Sequence, residues 1–160
     1  MSKWIVVYDS RSGNTKKIAK KIAEGLNSEL SNIHQEPLYS SYEAIVFGAW
    51  IKANELSCRE KLLQLPRSDL QAKTAAMFLT CTFPNKTIND TGDLVVDKVF
   101  KDFRTILSEK GMDVCDQPFL SKGAAKLFHW GFGFKAIGHP TKNELLQAKD
   151  FGFSLRKKFE

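Results

Sequence analysis

No apolar run in this chain approaches the ~18 residues that a membrane-spanning helix needs. The opening stretch, Met1 to Asp9, is not read as a signal peptide, because its apolar run is short and a strand-and-turn pattern follows directly. Cysteine is scarce: Cys58, Cys81 and Cys115 are all there is. Three scattered thiols make neither a disulfide framework nor a zinc site, so a reducing, cytoplasmic setting is expected. His34, His129 and His139 stand far apart and show no metal-ligand spacing. Neither the Walker pattern Gly-x-x-x-x-Gly-Lys-Ser/Thr nor the dinucleotide pattern Gly-x-Gly-x-x-Gly is present. No serine–histidine–acid or paired-carboxylate constellation can be argued from spacing. Hydrophobic residues at 42% and charged residues at 26% exclude a disordered, collagen-like or coiled-coil chain.

What is present fits one domain, residues 1–160, a length able to sustain a core without staples. Lys plus Arg number 24 against 18 Asp plus Glu, a net charge of +6 that attracts acidic proteins, nucleic acids or anionic lipid without selecting among them. Trp4 to Tyr8 is a continuous apolar, β-branched run, as in a strand covered on both faces. It ends in the small polar residues Asp9 to Thr15. Ile18, Ala19, Ile22, Ala23 and Leu26 then recur at helical spacing. The alternation repeats: a strand over 44–48, a helix over 55–64, a strand over 74–79, a helix from Leu94 stopped by Gly111, and a further strand over 112–119. A weak strand is placed over 33–38. Thr141 to Glu144 has capping-box spacing and opens the last helix. Strands alternating with helices predict βαβ units, hence an α/β fold with five parallel strands and helices on both faces.

In an open α/β sheet, ligands bind beyond the carboxyl ends of the strands, so the loop after the first strand is the first place to look. Ser10, Ser12 and Thr15 offer hydroxyls, Gly13 permits a tight turn, and the next helix points its free N–H groups the same way. Together they form a phosphate cradle; an ordinary hydroxyl-rich capping turn is the plainer alternative.

Ser10-Arg11-Ser12-Gly13-Asn14-Thr15 resembles the flavodoxin phosphate loop, Thr/Ser-x-Thr-Gly-x-Thr, immediately after the first strand. Phe47 to Ile51 resembles the second flavin-contacting loop of short flavodoxin-like proteins, and Phe78 to Thr82 falls where the third loop begins. Phe119 to Gly123 and Gly138 to Thr141 resemble the end of the last strand and the entry to the final helix. The resemblance implies a flavodoxin-like three-layer sandwich with sheet order 2-1-3-4-5 and non-covalently bound FMN. It implies that Ser10, Arg11, Ser12, Gly13, Asn14 and Thr15 hold the phosphate. It also implies that Ala49, Trp50, Ile51 and Lys52 form the ring-contacting segment, with Trp50 stacked on the ring. Thr80, Cys81, Thr82 and Phe83 would then border the ring's polar edge. The sequence departs from the family in having Lys52-Ala53-Asn54-Glu55 after the tryptophan and no glycine in Thr80 to Phe83.

Between Asp116 and Glu144 there is no acidic residue, while Lys122, Lys126, Lys135 and Lys142 alternate with Phe119, Phe128, Trp130, Phe132 and Phe134. This stretch reads as satellite core or as a docking surface for an acidic protein; no nucleic-acid motif accompanies it. The function expected is a monomeric electron carrier between a reductase and a larger redox enzyme, with no membrane insertion. An FMN-dependent NAD(P)H oxidoreductase acting on quinone-type acceptors and a weakly flavin-binding accessory subunit are the alternatives.

Overall fold

The computed structural model describes residues 2–88, 91–122 and 139–160. Seven strands build one sheet: β1 (Trp4–Tyr8), β2 (Glu29–Asn32), β3 (Ala44–Lys52), β4 (Glu55–Leu56), β5 (Thr74–Cys81), β6 (Asp113–Val114) and β7 (Phe119–Lys122). Among the described residues five α-helices accompany them: α1 (Asn14–Leu26), α2 (Arg59–Gln64), α3 (Arg67–Leu70), α4 (Val95–Glu109) and α5 (Lys142–Phe159). The parallel order is β2-β1-β3-β5, followed by β6 along the start of β5 and β7 along its end. The expected order 2-1-3-4-5 therefore holds, with the fifth position filled by two short pieces. Pro118, which has no N–H to give a ladder, stands in the gap between them.

Two apolar clusters flank the sheet, sorted by the two-residue period of the strands. Ile5, Val7, Ile45, Phe47, Ala75, Met77 and Leu79 face Leu62, Leu70, Val99, Phe103 and Ile106 on one side. Trp4, Val6, Val46, Ala76 and Phe78 face Ile18, Ile22, Ala148 and Leu155 of α1 and α5 on the other. The three central strands are buried on both faces, which is why they are written as unbroken apolar runs.

Three expectations need correction. The strand placed over 33–38 lies at Glu29–Asn32 instead, and Ile33–Gln35 is a single 3₁₀ turn. β2 is the sheet's edge, so all its residues but Leu30 are polar, all are exposed or half-exposed, and they carry little hydrophobic signal. The residues before the second helix continue β3 as far as Lys52, and Glu55–Leu56 returns against it as β4, so the helix begins only at Arg59. The fifth strand over 112–119 is the divided β6 and β7. The last helix starts at its capping box as expected, with Thr141 accepting from the Glu144 N–H and Glu144 accepting from the Thr141 N–H. The basic aromatic stretch from 123 to 138, with Lys126, Phe128, His129, Trp130, Phe132, Phe134 and Lys135, lies outside the described residues. Among the described residues no helix is long and apolar enough to cross a membrane.

Candidate functional site

The sheet order reverses between β1 and β3, and the crevice outside their carboxyl ends is where such sheets hold ligands. The Ser10–Gly13 loop opens onto it. Gly13 takes φ +93°, a left-handed conformation, and a side chain placed there would meet nothing within 4 Å. The turn therefore leaves open space directly before α1. The Ser10 hydroxyl oxygen accepts from the Gly13 N–H at 3.1 Å, and the Ser12 oxygen accepts from Asn14 Nδ2 at 3.1 Å. Each serine keeps its own hydroxyl hydrogen to donate outward. Among the described residues no side-chain cap bonds to α1, and no carboxylate stands in its first turn, so the positive end of the helix suits an anion. Lys16 and Lys17 are exposed beside it.

Thr15, expected as a phosphate ligand, stands in the first turn of α1. Its hydroxyl is buried and shares a 2.7 Å hydrogen bond with Thr80 at the end of β5. Thr80 pairs in register with Trp50 on one side and with Ser121 on the other. Trp50, Thr80 and Ser121 thus form one row across three strands at the sheet's carboxyl edge, with Thr15 joined to its middle. Sequence distance hid this row, which only the register reveals; Ser121 was not anticipated. Two buried polar atoms in the row have no hydrogen-bond partner among the described residues: Trp50 Nε1 and Ser121 Oγ. An orphaned donor and hydroxyl at a sheet's ligand-binding edge call for an exogenous acceptor or an ordered water.

Trp50 sits in a strand, not in a flexible loop. Its N–H donates to Ser57 Oγ at 3.2 Å, and its carbonyl accepts from the Ser57 N–H at 2.9 Å. The β3–β4 hairpin turns through Ala53 and Asn54, both in the left-handed region at φ +49° and +66°. Neither is glycine, so the usual hairpin signature is missing from the sequence. Ala49 is buried in the core below, Ile51 is half-buried, and Lys52 is exposed at the hairpin's end. The third segment continues β5: Cys81 is buried, Thr82 half-buried and Phe83 51% exposed. Lys86 Nζ donates to Asn54 Oδ1 at 2.9 Å and ties this loop to the hairpin tip. Burial pushes the Cys81 thiol above its ordinary value, so it is neutral at physiological pH and a poor nucleophile. Among the described residues no three metal-ligating side chains gather.

FMN has a phosphate dianion at one end and a flat ring system at the other. The uncapped start of α1 with its open turn suits the first, and the half-buried indole with its unpaired N–H suits the second. The residues present fit the group.

A family model described as "Flavodoxin domain" matches residues 5–124. An uncharacterized protein of Methanocaldococcus jannaschii is 28% identical over 97% of this chain and 99% of its own. An archaeal flavodoxin superposes with a TM-score of 0.68 at 23% identity, covering 98% of this chain and 97% of that one. The rubredoxin:oxygen oxidoreductase of Desulfovibrio gigas matches with a TM-score of 0.67 at 16% identity, over 99% of this chain but 36% of that one. With the model covering most of the sequence, the chain belongs to the flavodoxin domain family, and that membership implies FMN as the cofactor.

Proposed function

We propose that this chain binds FMN non-covalently at the carboxyl edge of its sheet and carries electrons from a reductase to a larger redox enzyme. The observation that carries the reading is the pairing of an open, uncapped helix start with the row Trp50–Thr80–Ser121, joined to it through Thr15. Bound FMN would supply the redox chemistry; the protein supplies binding, orientation and electrostatics. The hydroxyl hydrogens of Ser10 and Ser12 and the first-turn amides of α1 hold the phosphate. Arg11, exposed at the loop's tip, adds charge. Trp50 covers the ring with its position fixed by Ser57, and Thr80 to Phe83 line the opposite edge. Arg11, Lys16, Lys17, Lys52, Lys86 and Lys122 ring this edge and favour partners with acidic docking surfaces.

The test is an absorption spectrum of the purified protein before and after adding FMN, together with the variant Ser12→Asp. The wild type should take up FMN and turn yellow. A carboxylate at position 12 faces the phosphate and should abolish uptake. A wild type that takes up no FMN, or undiminished affinity in S12D, overturns the assignment. NADPH oxidation by the pure protein with no added reductase would replace the carrier with a self-sufficient oxidoreductase.

A further inference from the structure

The two faces of the sheet are not charged alike. On one, α1 and α5 carry nine Lys and Arg residues against three Asp and Glu. On the other, α2, α3 and α4 carry six against five. We infer that the outer side of α1 and α5 is a docking surface for an anionic lipid membrane, on which the protein lies without crossing it. This goes beyond the flavin reading and does not rest on it.

Four features lead there. First, α5 carries a mixed stripe. Lys142, Leu146, Lys149, Phe153 and Lys157 recur every three or four residues, which sets them along one side of a helix. All five are exposed, Leu146 by 57% and Phe153 by 41%. The charged groups of Arg156 and Lys157 stand 5.1 and 4.8 Å from the centre of the Phe153 ring. Second, the two helices make one surface. Gly25 of α1 lies against the backbone of Lys149 and Phe153, in the middle of that stripe. A hydrogen bond from Lys21 and the charges of Lys149 and Lys20 together hold the Glu24 carboxyl below its ordinary value, so cations of both helices act at one place. Third, most of the charge is unspent. Among the described residues the only ion pairs within these helices or at their ends are Lys21–Glu24, His139–Glu144 and Arg156–Glu160. Fourth, eight of the nine cations are lysines. The core of a protein interface is poor in lysine and rich in arginine and aromatics. A fluid anionic surface imposes no fixed geometry, and ammonium groups on long stems meet headgroups at different depths. Leu146 and Phe153, set singly among them, reach the acyl boundary, and clusters of four to eight cations on an amphipathic helix recognise acidic lipid. The orientation also serves a carrier. α1 follows the Ser10–Gly13 loop directly, and Glu144 of α5 accepts from the N–H of Lys122 at the end of β7. Both helices thus start at the carboxyl edge of the sheet, and a membrane beneath their outer side leaves that edge facing sideways.

The experiment is flotation of the whole chain with vesicles of phosphatidylcholine and phosphatidylglycerol in equal parts, beside vesicles of phosphatidylcholine alone. The protein should float with the first and stay behind with the second, and binding should fall as salt is raised. Lys149→Gln and Lys157→Gln should each weaken binding about fivefold. Phe153→Ser should weaken it about tenfold and leave the salt dependence as it was. Lys98→Gln and Lys101→Gln remove the same charge from exposed sites on the opposite face and should change nothing. Circular dichroism checks that each variant folds. No flotation with the anionic vesicles, or equal losses from lysines of either face, overturns the inference. A protein that ignores the vesicles but binds poly-glutamate or a short DNA duplex would give the face to an acidic protein or to nucleic acid, and overturns it too. FMN uptake is read from the absorption spectrum of the same samples. A chain that floats without taking up FMN refutes the flavin reading alone, and one that takes up FMN without floating refutes this one alone.

Discussion

Thr15 and Thr80 stand 65 positions apart and meet in a buried 2.7 Å hydrogen bond. Either hydroxyl can be the donor, and each satisfies the other in a place where water does not reach. This contact pins the first turn of α1 to the end of β5, and so sets the phosphate loop against the third loop. Thr80→Val keeps the shape but leaves the Thr15 hydroxyl unpaired. It should lower stability by about 1–3 kcal/mol, read as a reduced urea midpoint with unchanged slope, and should weaken FMN binding as the loop loosens. Glu144 does a comparable job at the start of α5, on the same face of the sheet. It receives the N–H of Thr141 at 2.6 Å, the Nδ1–H of His139 at 2.6 Å and the N–H of Lys122 at 3.2 Å. Burial pushes its carboxyl up, but those hydrogen bonds and the His139 charge outweigh burial, and it sits below its ordinary value of 4.5. A depressed folded-state value means that its contribution is complete above pH 4.5 and is lost as pH falls through the folded value. The acid limb of a stability–pH profile should therefore steepen below pH 4.5, and Glu144→Gln should flatten that part of the curve.

Among the elements, α1 and α5 make the closest approach. Gly25 lies against the backbone carbonyl of Lys149, and Gly152 lies against the carbonyl of Ile22. A methyl group at either site would overlap main chain, which cannot swing aside as a long side chain can. Gly152→Ala, ordinarily favourable inside a helix, should here destabilise by roughly 1–3 kcal/mol, measured by chemical denaturation. The same comparison of elements shows how much was legible beforehand. β1, β3 and β5 announce themselves because burial on both faces demands unbroken apolar runs. α1, α4 and α5 do so through helical spacing, the left-handed Gly111 after α4 and the Thr141–Glu144 capping box. β2 was displaced because its four residues, Glu-Leu-Ser-Asn, form an edge and need only Leu30 against the core. β4 went unseen because Ala53 and Asn54 turn the chain without glycine. The Ser10–Thr15 turn between β1 and α1 was readable as a motif. The role of Thr15 was not, since its partner is fixed by register, and the orphaned Ser121 hydroxyl has no local signature at all.

For the whole molecule the decisive quantity is the net charge of +6. Lys52 and Lys122 end β3 and β7 at the sheet's carboxyl edge, where FMN is proposed to bind, and positive potential there favours added electrons on a bound ring. Neutralising either as glutamine should move the midpoint potential of bound FMN to more negative values, on the order of tens of millivolts at low ionic strength. Redox titration checks this, and the shift should shrink as salt is raised. A potential unmoved by both changes would remove the lysines from the account of redox tuning. Association with an acidic redox partner should slow with salt in the same way.

The divided fifth position has a consequence of another kind. A long parallel strand at a sheet's rim offers a row of unpaired backbone groups on which a second molecule can template itself. Here that rim is cut into β6 and β7, and Arg104 holds the cut by donating to the carbonyls of Val114, Cys115 and Asp116. Those carbonyls are occupied, and Pro118 contributes no donor beside them. At this rim the backbone offers only short pieces of ladder, which disfavours strand-to-strand pairing between copies.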